Sequence, residues 1–265
     1  MTGFADVELV LVDLDGTVYE GSRPVPGAAA ALERLRRDGR ALRFLTNTDS
    51  VPPAALVGRL RGMGVEAAAG EVLTPVALAA RLFGERPGSR VLAVAAPPVR
   101  ELLAGVLAGP GVAPTHVLVC DASFGACYHD LDAAFRAVLG GAELVASQVN
   151  RSVRRDDGEH LDTGGFVRLL EYAAGVQARV LGKPSPEFFR LALDAAGVAP
   201  ARALVVGDDL GADVAGAQAA GLRAVLVRTG KGAGPVPPAG DPGAPDAVID
   251  SLAALPALLD APTDT

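Results

Sequence analysis

Cysteine is scarce in this chain of 265 residues, which carries only Cys120 and Cys127. Two are too few for a disulfide framework, and their spacing lacks the CxxC pairing of a metal or redox site, so both read as small core residues. No apolar run reaches the roughly 18 residues that a membrane span needs. Residues Met1-Thr-Gly-Phe-Ala-Asp6 hold no basic stretch followed by an apolar one, so no signal peptide is expected and a cytoplasmic setting is. Lysine is nearly missing too: of 24 basic residues only Lys183 and Lys231 are lysines. A formal net charge of −7 excludes broad affinity for nucleic acid, whose phosphates demand a basic surface. The histidines, His116, His129 and His160, are scattered and form no ligand set.

What is present is a globular balance, 50% hydrophobic and 21% charged, arranged as strand then helix. Val7–Val12 and Ala41–Leu45 read as strands, with a helix opening at Pro26-Gly27 between them and another over 53–61. Thr74-Pro75 supplies an N-cap and first-turn pair. The same alternation returns with strands at 179–181, 203–206 and 223–227, helices over 185–196 and 212–220, and a closing helix over 252–259. It predicts an α/β fold with a doubly wound, Rossmann-like parallel sheet. The middle of the chain carries its own strands near 90–95, 116–120 and 143–146 and helices near 98–108 and 130–139. The expected organisation is a core from residues 1–76 and 178–265, interrupted by an inserted α/β domain over 77–177.

Four polar clusters follow predicted strands: Asp13-Leu-Asp15-Gly-Thr17, Thr46-Asn47, Gly182-Lys183-Pro184, and Gly207-Asp208-Asp209 with Asp213. Open α/β sheets bind ligands at the carboxyl ends of their strands, so all four are expected at one edge. Two carboxylates about 4 Å apart repel by ~4 kcal/mol at an effective dielectric near 20. Asp13, Asp15 and Asp208 together therefore call for a cation, and oxygen-only ligation points to Mg²⁺ rather than zinc. A carboxylate such as Asp13 can attack phosphorus. Asp15, two residues on, can serve as general acid and base. Thr46 offers a hydroxyl donor and Lys183 a charge against the transition state.

These clusters resemble the haloacid dehalogenase superfamily, and the insert resembles the large α/β cap of its type IIA branch. Within that branch, Val180-Leu-Gly-Lys-Pro-Ser-Pro-Glu-Phe-Phe189, Gly207-Asp-Asp-Leu-Gly-Ala-Asp-Val-Ala-Gly-Ala-Gln218 and Arg228-Thr-Gly-Lys231 resemble the phospholysine phosphohistidine inorganic pyrophosphate phosphatase group. The resemblance implies a phosphohydrolase for small phosphorylated substrates, with Asp13 as nucleophile and Mg²⁺ ligand. It implies Asp15 as acid and base giving its backbone carbonyl to the metal, and Asp208 as the third ligand. Thr46, Asn47 and Lys183 would bind phosphate, while Asp209 and Asp213 would orient the site. Some members of the group have Ser where this chain keeps Asp15. Many type IIA caps read Ala-Thr-Asn-x-Asp where this one reads Ala146-Ser-Gln-Val-Asn150. Residues 148–151 and the turn 162–165 are candidate contacts for the leaving group, and Lys231 is expected in a loop away from the site. Caps of this branch often take part in dimerisation, which leaves a homodimer through the cap open.

Three rivals remain. A phosphotransferase or mutase would share the phosphorylated aspartate, but no acceptor signature is visible. A dehalogenase has no use for Asp15 or the metal-binding acids. A non-catalytic phosphate-binding module would be expected to have lost Asp13, Asp15 or Lys183.

Overall fold

Leu9, Val10, Leu11 and Val12 are all fully buried, as an uninterrupted β-branched and leucine run requires when a strand is covered on both faces. In the computed structural model, which describes residues 3–123, 125–155 and 157–261, they form the strand Leu9–Asp13 of a six-stranded sheet. Across this sheet the order is Ala247–Ile249, Arg223–Val227, Ala203–Gly207, Leu9–Asp13, Ala41–Leu45 and Val72–Leu73, all neighbours parallel. The helix Ala28–Arg37 buries Ala28, Ala31, Leu32 and Leu35 and turns its charged residues outward. The expected parallel α/β fold is thus the observed one.

Contacts divide the chain into two units. One comprises the chain up to Thr46, Leu56–Leu73 and the chain from Lys183 onward; the other comprises Asn47–Ala55 and Thr74–Gly182. The second unit has a parallel sheet of its own, in the order Arg179–Val180, Glu143–Ala146, His116–Val119 and Val91–Val94. Val117, Val119, Ala134, Leu144, Val167 and Leu170 build its core, with helices Tyr128–Leu139 and Thr163–Ala174 contributing. A hairpin, Ser152–Arg155 with Gly158–Leu161, completes it. No helix among the described residues is long and apolar enough to cross a membrane.

One strand lies elsewhere than the sequence suggests. Arg179–Val180 pairs with Val145 and Ala146 in the second unit's sheet and is not a strand of the six-stranded one. The ladder continues through Leu181 N–H to Ala146 O and Gly182 N–H to Ser147 O, at 2.9 and 2.8 Å. A strand this short, with only Val180 and Leu181 apolar, carries no record of which sheet it joins. The expected helix over 212–220 is also split, into a wide turn at Leu210–Ala215 and a short α-helix at Gly216–Ala219.

Candidate active site

Strand register places the first carboxylates. Asp13 ends its strand opposite Leu45, and Val12 pairs with Val206. Thr46 and Asp208, the residues that follow the two flanking strands, therefore emerge at the same carboxyl edge as Asp13, and all three are buried. Beyond Asp13 the chain turns sharply. Gly16 takes φ +91°, its N–H donates to Tyr19 O at 2.6 Å, and an added Cβ would collide with the Asp208 carboxylate.

Lys183 supplies the counter-charge. Its ammonium lies 2.5 Å from Asp13 Oδ1 and 2.6 Å from Asp213 Oδ1, and its side chain is only 4% exposed. Burial alone would lower its pKa, but the two carboxylates outweigh burial and hold the ammonium charged. Asp13 experiences the opposite balance. Burial raises its carboxyl well above the usual range, Lys183 resists, and Asp213 and Asp208 add repulsion. The Thr17 hydroxyl donates to Asp13 Oδ2 at 3.3 Å. Asp208 is pushed up to about 7, by burial first and by Asp213 next.

Asp13, Asp208 and Asp213 each present a carboxylate oxygen, and these lie within 4.8 Å of one another. The carboxylate of Asp15 is not part of that cluster; it accepts from Gly21 N–H at 3.3 Å and is exposed, though desolvation still raises its pKa. Asp213 spends its other oxygen on Asp209 N–H, at 3.1 Å. Asp209 caps the wide turn, accepting from Gly211 and Ala212 N–H at 2.9 and 3.0 Å. Burial works to raise its pKa, but Lys231 and these amides leave it below its ordinary value.

Lys231 is not in a distant loop. Its N–H donates to Asp208 Oδ2 at 2.7 Å and its ammonium meets Asp209 at 2.8 Å. Its neighbours bind the same turn: Thr229 donates to Gly16 O at 2.5 Å and Gly230 N–H to Glu20 at 2.9 Å. Sequence reasoning misses this because a lone lysine in a glycine-rich loop has no periodicity. The scarcity of lysine is the one available hint.

Residues 10–106 match the model of the haloacid dehalogenase-like hydrolase family, and 180–255 match a second model described as HAD-hydrolase-like. The phospholysine phosphohistidine inorganic pyrophosphate phosphatase of Rattus norvegicus is 37% identical over 228 residues, 84% of this chain and 83% of the relative. The chain belongs to the haloacid dehalogenase-like hydrolases and is one of their phosphatases. Among solved structures, a 4-nitrophenylphosphatase from Thermotoga maritima has a TM-score of 0.87 at 25% identity, covering 98% of this chain and all of that one. A glycerol phosphate phosphatase from Mycobacterium tuberculosis, solved in complex with magnesium, has a TM-score of 0.83 at 31% identity, covering 96% and 78%.

In this phosphatase the donor set suits a hard divalent cation. Three buried carboxylates face one ammonium, and the ligand atoms on offer are all oxygen. Of the second unit's candidates, Asp162 is buried while Arg151 is exposed. Gln148 is buried, its amide nitrogen donating to Asp162 Oδ1 at 2.8 Å and its oxygen accepting from Asn150 N–H at 2.5 Å. Gly164 N–H donates to Asn150 O at 3.0 Å, so 148–151 and 162–165 brace each other. Asn47 packs within this unit as well, where its Oδ1 leaves no room for a side chain at Gly182.

Proposed function

We propose that this phosphatase hydrolyses small phosphorylated substrates through a phosphorylated Asp13, with Mg²⁺ as its divalent ion. Asp13 Oδ attacks phosphorus as the P–O bond to the leaving group breaks, and Asp15 gives that oxygen its proton. Asp15 then takes a proton from the water that attacks the aspartyl phosphate, which frees inorganic phosphate and regenerates Asp13. The raised pKa of Asp15 suits a group that must hold a proton before it gives it up. Asp13, Asp208 and the Asp15 carbonyl are the proposed metal ligands, and the ion would offset charge on the phosphoryl oxygens. Lys183, Thr46 and Asn47 bind phosphate in this reading, while Asp213 aims Lys183 and Asp209 holds Lys231.

The observation that carries the proposal is Lys183 bridging Asp13 and Asp213 inside a buried acidic cluster. Such a cluster costs stability unless a cation and an anionic ligand use it. The rat relative's name supports pyrophosphate and phosphorylated lysine and histidine as substrates; the mycobacterial one supports a phosphate monoester. The second unit is proposed as the cap that chooses among them. Leu169 and Tyr172, exposed three residues apart on one helix of that unit, support a homodimer formed through it, which sedimentation would test. A screen of phosphomonoesters, pyrophosphate and phosphoamino acids with magnesium tests the main reading. Phosphate release from none of them would sink it.

A further inference from the structure

Tyr19 is held against the turn that carries Asp13 and Asp15. Its N–H donates to Leu14 O at 3.2 Å, its carbonyl accepts from Gly16 N–H at 2.6 Å, and it forms a β-bridge with Asp15. Its ring is 1% exposed and lies under the Arg59 guanidinium, 4.1 Å from the centroid. Arg59 also donates to Gly21 O, which ties it to the same hairpin. Backbone and ring are therefore fixed on three sides.

The hydroxyl is not. Among the described residues, Tyr19 Oη is buried with no hydrogen-bond partner. The other two buried atoms of this kind are Nε atoms of Arg40 and Arg43, whose guanidinium groups pair elsewhere. Among the described residues, only in Tyr19 is the entire polar group of the side chain orphaned. An unsatisfied buried hydroxyl is destabilising, and phenylalanine would fill the same volume under Arg59 without that cost. A polar group kept at such a disadvantage calls for a ligand that the resting protein does not contain.

The charges around it say what that ligand is. Burial pushes the phenol up to about 12, and the charges acting on it are those of Arg59, Asp15, Asp13 and Lys183. The hydroxyl thus lies within electrostatic reach of the carboxylates assigned above as nucleophile and acid, yet donates to neither. A neutral O–H that stays protonated at working pH is a donor for an anion arriving beside the Asp13–Lys183 pair.

We propose that Tyr19 is a substrate-binding residue whose hydroxyl donates a hydrogen bond to a phosphoryl oxygen of the substrate and of product phosphate. This rests on the phosphatase reading above. It extends the phosphate contacts beyond the strand-end residues to the hairpin Tyr19–Glu20/Arg23–Pro24.

The test is Tyr19→Phe in the full chain, with magnesium, reading three quantities. These are the inhibition constant of inorganic phosphate against 4-nitrophenyl phosphate, kcat/KM for that ester, and the thermal midpoint without ligand. The midpoint should hold or rise, because an unpaired hydroxyl has been removed. Phosphate binding and kcat/KM should both weaken about tenfold or more, the loss of one hydrogen bond to a charged group. Phosphate binding and kcat/KM within twofold of the parent, whatever the midpoint does, would overturn the proposal. A parent chain that neither turns over the ester nor binds phosphate would overturn the phosphatase reading, and Tyr19 with it. A parent that does both while Tyr19→Phe matches it would remove Tyr19 alone.

Discussion

The Lys183 ammonium stands 2.5 Å from Asp13 Oδ1, with the same nitrogen 2.6 Å from Asp213. Removing the lysine leaves two carboxylates buried without their counter-charge. Lys183→Met, which keeps much of the volume, should cost about 3–5 kcal/mol of stability in urea unfolding. It should also lower kcat/KM by at least ~1.5–3 kcal/mol of transition-state stabilisation. An unfolding midpoint equal to the parent's would mean the buried triad does not form.

Asp13→Asn tests the nucleophile directly. The amide keeps the shape and can still accept from Lys183, so the circular dichroism and the melting transition should survive. Phosphate release should fall to background, and turnover at the parent rate would exclude Asp13 as the attacking group.

Cation binding should be visible as stability. Magnesium titrated into chelator-treated protein is expected to raise the melting midpoint, by the equivalent of ~2.7 kcal/mol once its concentration reaches about 100 times Kd. Asp208→Asn should shrink that response, because it removes one of the clustered oxygens. A parent protein whose midpoint ignores both magnesium and chelator would contradict the metal site.

Asp49 gives a pH prediction inside the second unit. It is buried, accepts from Ser147 Oγ at 2.5 Å and Thr163 Oγ1 at 2.8 Å, and burial pushes its pKa up to about 7 against those two donors. An unfolded aspartate titrates near ~3.9. Between these values the folded chain holds a proton that the unfolded chain has released, so this group's contribution to stability falls as pH rises from about 4 to about 7. Asp49→Asn should abolish that part of the slope, about 1.4 kcal/mol for every tenfold change in proton concentration across the window. The check is the difference between parent and variant unfolding curves across that range, and parallel curves would refute it.

The strand-then-helix grammar makes much of this legible. Asp13, Thr46 and Asp208 follow apolar strands whose neighbours are parallel, and a carboxyl-edge site follows from that topology. Sequence misplaces the strand Arg179–Val180 because pairing partners are decided by tertiary hydrogen bonds, here to Val145 and Ala146. Lys231 and Tyr19 escape notice for a related reason. Their roles depend on backbone contacts with Asp208 and Gly16, and no pattern in the chain announces those. The burial of Gln148 and its hydrogen bond to Asp162 are not legible in the sequence either, since a polar residue type does not say which partner its side chain meets.

Both lysines of the chain sit against its acids, Lys183 almost sealed and Lys231 with 62% of its side chain exposed. Side-chain amine chemistry therefore has only two addresses in this protein. Reductive methylation with an isotope-labelled reagent would place one reporter beside Asp209 while burial shields the other. The Lys231 signal, told apart from that of the α-amine by its shift and its titration, could then follow events at the acidic cluster, with no engineered label.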